Sequence, residues 1–110
     1  MQVNILPIDT EDIDKSNDRF AIDLDGNTYI FEVFWNPIGE FFSFNMYDEN
    51  EEALIMGRKI IYGVDMLRNV IDERIPNLKI IPVDKTGDAE KTGITFYNFI
   101  ESVKPVIIDG

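Results

Sequence analysis

The stretch from Phe20 to Trp35 constrains the fold most, because it carries the complete pattern of a β-hairpin. Residues 20–25 alternate apolar with small or acidic side chains, the period of two that is typical of a half-buried strand. Asp25-Gly26-Asn27 then supplies residue types that tolerate positive φ in a tight turn. The second arm, residues 28–35, is apolar on much of both faces. It is therefore expected inside a sheet covered on both sides, or at a contact with another chain.

Further short apolar segments, separated by turn residues, predict additional strands. They cover residues 3–8, 41–47, 53–62 with a bulge or bend at Gly57, 78–83 and 93–100, and the tail at 101–110 is expected to add an edge strand or to dock on a neighbour. Asp65 is expected to cap one short helix near residues 65–73. The pattern as a whole predicts an all-β, single-domain chain over residues 1–110, a small barrel or sandwich of about 6–8 short antiparallel strands.

Two segments are predicted to be loops because they are polar and poor in apolar residues. Residues 9–18 are mostly acidic, and residues 84–93 contain Gly87 and Gly93 among charged side chains. Such runs are more often solvated surface than binding sites.

Composition excludes several classes of function. The chain has no cysteine and no histidine, which removes disulfides, thiolate metal sites and the usual neutral-pH general base. The formal net charge of −11 would be repelled by nucleic acid and by anionic membranes. We therefore expect no catalytic residues, no metal and no cofactor, and the acidic charge leaves proteins, basic ones among them, or cations as partners.

The N-terminal residues lack the charged and apolar regions of a signal peptide, and no apolar run approaches the roughly 18 residues of a membrane span. The expectation is a protein that is made in the cytoplasm and not exported by the usual route.

The turn of the hairpin also imitates part of a calcium-binding EF-hand loop. With Gly26 as the sixth position, Asp23, Asp25 and Glu32 would be the third, fifth and twelfth. However, the first ligand would be Ala21, and the flanking residues alternate as strands do. We interpret Asp25-Gly26 as turn chemistry, since a hairpin turn requires these residue types in any case.

The aromatic side chains are numerous for a chain of this length, and most are expected in the core. Ile30 and Phe34 on the second arm, and Phe41 and Tyr47 on the next strand, fall on the faces opposite the main alternation. If that sheet face is uncovered, they form an apolar patch suited to assembly. Together with Trp35, they are the predicted protein-docking residues.

The order of several short motifs resembles a family of small tailed-phage proteins, the baseplate plug family described from a cyanophage. The motifs cover roughly residues 3–100 and are Ile5-Leu6-Pro7-Ile8, the hairpin from Phe20 to Asn36, a turn at Gly39, Met46-Tyr47-Asp48, Gly57, Gly63-Val64-Asp65-Met66-Leu67-Arg68, Ile75-Pro76-Asn77-Leu78 and Gly93 before Ile94-Thr95-Phe96-Tyr97. Phe42 stands where the family is expected to have tryptophan.

The resemblance implies a non-enzymatic structural subunit of a phage or prophage tail baseplate, placed among hub and tube-initiating proteins. Its partners would be other tail and baseplate proteins or a second copy of the chain, and its location the virion, after synthesis in the host cytoplasm. Two other functions remain open from the residues alone. One is an acidic protein that mimics DNA, and the other is a calcium-dependent carbohydrate-binding β-domain.

Overall fold

The computed structural model describes residues 4–109, so Val3 of the predicted first strand and Gly110 of the tail lie outside the described residues. Its elements in chain order are β1 (Asn4–Ile5), β2 (Asp18–Leu24), β3 (Asn27–Asn36), β4 (Phe41–Asp48), β5 (Ala53–Lys59), β6 (Leu78–Val83), α1 (Ala89–Thr92) and β7 (Lys104–Asp109). They form two antiparallel sheets, a four-stranded sheet in the order β2-β3-β4-β5 and a three-stranded sheet in the order β1-β7-β6. The all-β prediction is confirmed.

The predicted hairpin joins β2 to β3 through a two-residue turn. Leu24 pairs with Asn27, and Asp25 and Gly26 between them have φ values of 52° and 84°. Positive φ at both central residues is the geometry that matches the twist of the flanking strands. The hairpin prediction is confirmed.

One hydrophobic core lies between the two sheets. The four-stranded sheet contributes side chains such as Tyr29, Phe31 and Phe44, and the three-stranded sheet contributes Ile80. These side chains come from alternate positions along each strand, as the period of two requires. The core therefore uses one face of each sheet, and the opposite faces point away from it.

The helix predicted near residues 65–73 is absent, because the backbone of this segment bonds to other partners. Met66 N–H donates to the carbonyl of Ile80 at 2.8 Å, and the Arg58 guanidinium donates to the carbonyls of Met66 and Arg68. Asn69 has φ of 56°, which a right-handed helix does not contain. The segment forms turns along the edge of β6, and the short helix lies instead at Ala89–Thr92, inside the predicted 84–93 loop.

The strand predicted over residues 93–100 is also wrong. Asn98 folds this segment into a turn, since its Oδ1 accepts from Thr95 N–H at 2.8 Å and its Nδ2 donates to the Gly93 carbonyl at 3.0 Å. Side-chain bonds of this kind offer the backbone an alternative to a sheet ladder.

The predicted 53–62 strand ends at Lys59, and Gly57 within it has φ of 61°. Its pairing with β4 shifts register between Phe44 and Met46, as expected of a bulge. The tail forms β7, but β7 lies in the centre of its sheet between β1 and β6, so the prediction of an edge strand is wrong. Across residues 4–109, no helix is long and apolar enough to span a membrane.

Candidate protein-docking surfaces

Four of the five predicted docking residues lie together on the outer face of the four-stranded sheet. Ile30 and Phe34 alternate along β3 with the buried Phe31 and Val33, so they point away from the core. Phe41 and Tyr47 occupy the corresponding positions on β4, and all four side chains are half-buried. We call Ile30, Phe34, Phe41 and Tyr47 the outer-face apolar set.

The register divides this outer face into rows that cross the strands. Ala21, Ile30 and Tyr47 form one row, and Phe34 lies beside Ser43 in another. Because directly opposed side chains touch across antiparallel strands, Ile30 and Tyr47 form one continuous apolar pair. Phe41 lies farther along β4, and the Lys59 ammonium is 5.0 Å from the centroid of its ring.

A polar row lies between these apolar side chains, and Glu32 is its centre. Its carboxylate accepts from Tyr47 Oη at 2.6 Å, from Arg19 Nη1 at 2.9 Å and from Asn45 Nδ2 at 3.3 Å. The hydrogen bond from Tyr47, assisted by those from Asn45 and Arg19, holds the pKa of Glu32 below its usual value. The same bond raises the pKa of Tyr47, because ionising the phenol would place two anions together.

Arg19 completes this polar row. It bridges Glu32 to Glu51 in the β4–β5 turn, and its guanidinium carbon lies 5.7 Å from the Tyr47 ring centroid. The hydrogen bond to Glu32 raises the pKa of Arg19. Glu32 and Arg19, the charged groups at the centre of the outer face, thus already have partners within the chain, and the hydrogen bond to Glu32 fixes the position of the Tyr47 ring.

Phe41 is held by the turn between β3 and β4. A Cβ atom at Gly39 would lie 2.3 Å from Phe41 Cε2, so the ring packs directly on the glycine. Asn36 Oδ1 accepts from the N–H groups of Ile38 and Gly39, both at 3.0 Å, and so fixes this turn.

The fifth predicted residue, Trp35, points to the opposite face of the sheet. Its ring centroid lies 4.8 Å from that of the buried Phe42 and 4.9 Å from that of Phe96. Trp35 therefore belongs to a different surface from the outer-face apolar set, an open groove that it shares with Phe96 and Tyr97.

The composition of residues 93–100 predicts a strand, and a strand there would not form this groove. In the turn held by Asn98, Phe96 contacts Trp35 while Tyr97 projects outward with 84% of its surface exposed. A local signal was available in Thr95 and Asn98, residue types whose side chains often bond to nearby backbone.

The carboxylates of the calcium-like motif have protein partners. Asp23 Oδ1 accepts from Thr28 Oγ1 at 2.6 Å, Asp25 Oδ2 accepts from Asn77 N–H at 3.1 Å, and Glu32 belongs to the polar row. Asp23 and Glu32 are divided between β2 and β3, which do not form the loop of an EF-hand. The carbohydrate-binding and DNA-mimic functions stay sequence predictions.

Comparison with known families identifies the chain. The profile of the family described as cyanophage baseplate Pam3 plug gp18 matches residues 3–110, nearly the whole chain. The chain belongs to the baseplate plug family. The resemblance derived from the motif order is confirmed, and membership supports a structural role in a phage tail baseplate, in contact with other baseplate proteins. Among curated proteins, none matches this chain.

Proposed function

We propose that this plug-family protein is a non-enzymatic structural subunit that docks in the hub and tube-initiator region of the baseplate. It docks through the outer-face apolar set, Ile30, Phe34, Phe41 and Tyr47, after synthesis in the host cytoplasm. Family membership supports the baseplate role, and the absence of histidine and cysteine from the sequence supports the non-enzymatic part. The hub position is what the family resemblance of the motifs implies, and that resemblance is its support.

The main support for this docking surface is that its central charged groups, Glu32 and Arg19, are already paired within the chain. A partner that covers this face must remove water from Glu32 and Arg19, and an unpaired charge would make that removal costly. Here Glu32 already accepts three hydrogen bonds and Arg19 already bridges two carboxylates. Glu32 and Arg19 at the centre of the face can therefore be covered without leaving either charge unpaired, while Lys59 lies at the edge strand beside the Phe41 ring.

The apolar side chains of this face have the character of interface anchors. Phenylalanine and tyrosine are enriched at the centres of protein interfaces, where a few well-packed side chains carry most of the binding energy. Phe41 is held against Gly39 and Tyr47 is held by Glu32, so both rings are ordered before a partner arrives. Such pre-organisation reduces the entropy lost on binding.

Incorporation into tails tests the proposal. A phage or prophage deleted for this gene is complemented with wild type, Phe34→Ser or Phe41→Ser, and the plug protein in purified tails is measured by mass spectrometry. We expect either substitution to reduce incorporation by about tenfold or more, since aromatic anchors of interfaces typically contribute about 2 kcal/mol. Ile71→Ser is the matched control, because Ile71 is fully exposed at 103% on a different part of the chain.

Circular dichroism of each purified variant establishes that it is folded before its incorporation is compared. Wild-type incorporation of folded Phe34→Ser and Phe41→Ser would contradict the proposed surface. Cross-linking of wild-type tails tests the location separately. Cross-links to hub or tube-initiating proteins support it, and cross-links to peripheral baseplate proteins alone would contradict it.

A further inference from the structure

The aromatic groove has two walls and occupies a volume of about 630 Å³. One wall is Trp35 with Pro37 from the β3–β4 turn, and the other is Phe96 with Tyr97. The Phe96 and Tyr97 rings meet edge to face, with centroids 5.4 Å apart and planes at 80°. The groove therefore offers aromatic surfaces in more than one orientation.

Both walls are fixed by asparagine side chains. Asn36 accepts from two N–H groups of the β3–β4 turn, and Asn98 bonds to Thr95 and Gly93 on the other side. Trp35 is packed between Phe42 and Phe96. The groove is thus a built feature of the fold, with both walls held by contacts within the chain.

Two carboxylates, Asp14 and Glu40, also line the groove. Among residues 4–109, neither takes part in an ion pair, and the lining contains no lysine or arginine. Lys15, the neighbour of Asp14 in the chain, is 4.0 Å from Asp12 instead. This contrasts with the outer face of the same sheet, where Arg19 pairs with both Glu32 and Glu51.

We propose that this groove binds an arginine side chain presented by an extended segment of a partner protein. Aromatic faces attract cations, and arginine is the cation that most often stacks on them because its guanidinium is planar. The same guanidinium has enough N–H donors for two carboxylates such as Asp14 and Glu40 while its face stacks on the exposed Tyr97 ring. The charge of the groove thus complements the cation that its aromatic rings favour.

This surface is distinct from the outer-face apolar set and rests on the proposed function only in taking a baseplate protein as the source of the arginine. The binding itself is measurable on the isolated chain, without tails. Its failure would leave the outer-face proposal standing, and failed incorporation of outer-face variants would leave the arginine site standing.

Trp35 is the only tryptophan of the chain, so its fluorescence reports directly on the groove. The purified protein is titrated into the millimolar range with acetyl-Gly-Arg-Gly-amide and with the citrulline analogue, which keeps the shape of arginine but lacks its charge. We expect the arginine peptide to change Trp35 fluorescence saturably and to bind about 3- to 10-fold more tightly than the citrulline peptide. Equal binding of the two peptides, or no response to either, would overturn the proposal.

Variants of the lining separate the site from the general attraction of an acidic protein for cations. Asp14→Asn with Glu40→Gln removes two charges from the groove, and Glu73→Gln with Glu101→Gln removes two exposed charges elsewhere. We expect the first pair to weaken arginine-peptide binding about 3- to 10-fold and the second to leave it nearly unchanged. Equal weakening by both pairs would show non-specific attraction and overturn the site.

Tyr97→Ala supplies a test through the aromatic wall in a variant that should fold, because Tyr97 is largely exposed. The substitution should weaken binding of the arginine peptide about 2- to 5-fold. Light scattering across a concentration series tests the other occupant, a second copy of the chain. A dimer that Tyr97→Ala dissociates would overturn the assignment to a partner protein, and a monomer throughout the series supports it.

Discussion

Residues 18–59 form a meander, in which each strand pairs with the next along the chain. The strands β2, β3, β4 and β5 therefore lie side by side in sequence order. In the C-terminal half, residues 60–109, β6 pairs with β7 beyond the intervening turns and helix, and β7 pairs with β1 from the other end of the chain. The meander forms through contacts that are local in sequence, whereas the C-terminal half must close long loops before its strands meet.

The connections of the C-terminal half depend on single side chains. Asp65 Oδ1 accepts from the N–H groups of Leu67 and Ile80, both at 3.0 Å, and Asn98 holds the 93–98 turn. In the meander, backbone ladders run along whole strands, and single side chains such as Asn36 and Asp48 hold only the short turns between them. The comparison indicates that the meander is weakened mainly by damage to its core, and the C-terminal half by loss of individual polar groups.

The largest effect is expected from Phe31→Ala, which tests the meander. Phe31 is fully buried, and its ring stacks with those of Phe20 and Phe44 at 5.6 and 6.1 Å. The cavity left by the substitution should lower the free energy of unfolding by about 3–5 kcal/mol, measured by urea denaturation. Phe34→Ala on the other face of the same strand is the control, and it should cost clearly less. Equal losses would show that the outer face is packed as tightly as the core.

An intermediate effect is expected from Asp65→Ala, which tests the C-terminal half. Ile80 is fully buried, so its N–H would lose its acceptor without access to water. The free energy of unfolding should fall by about 1–3 kcal/mol, and hydrogen exchange should accelerate at the Ile80 amide. Asp65→Asn keeps an acceptor oxygen and should lose less than Asp65→Ala. If both lose equally, the charge of Asp65 and not its acceptor oxygen stabilises the fold.

The same contrast explains which elements could be predicted from the sequence. In the meander, the alternation of Phe42, Phe44 and Met46 with more polar neighbours is a local signal, and the structure buries all three. Asp25-Gly26 likewise determines its turn through its own residue types. These features depend on side chains a few positions apart, which is the range over which a pattern is informative.

The predictions that are wrong concern segments whose backbone bonds to a residue distant in sequence or to a side chain. The apolar spacing after Asp65 is typical of a helix. However, Arg58 donates to the carbonyls of Met66 and Arg68, and the Met66 N–H donates to a carbonyl of β6. Residues 93–100 have the composition of a strand, but Asn98 bonds across the turn. Composition does not reveal these pairings.

The candidate surfaces divide in the same way. Alternation alone was enough to place Ile30, Phe34, Phe41 and Tyr47 on one face, because the register of β3 and β4 follows from their burial pattern. The groove around Trp35 was missed because it needs Phe96 and Tyr97, which reach it only through a turn distant in sequence.

The joint between the two halves is a cluster around Arg74. Its guanidinium lies 2.8 Å from Asp72 in its own segment, 3.1 Å from Asp48 at the end of β4 and 3.2 Å from Glu52 in the β4–β5 turn. Its carbonyl accepts from the buried Tyr29 hydroxyl of β3. The cluster therefore attaches the irregular 60–77 segment to the meander through ion pairs and one part-buried hydrogen bond.

The smallest effect is expected from the pH dependence of this joint. Hydrogen bonds from the side chain and backbone of Arg74 lower the pKa of Asp72 from 3.8 to about 2. A carboxyl group whose pKa is lower in the folded state stabilises the fold above its unfolded pKa, and the contribution is lost as the pH falls. Thermal unfolding should thus show wild type losing its advantage over Asp72→Asn between about pH 4 and pH 2.

Glu73→Gln removes a neighbouring charge outside the Arg74 cluster and should keep the wild-type profile. If the Asp72→Asn and wild-type curves instead stay parallel across this window, the bonds between Asp72 and Arg74 do not stabilise the fold, and the Arg74 cluster must act through its bonds to Asp48, Glu52 and Tyr29 of the meander.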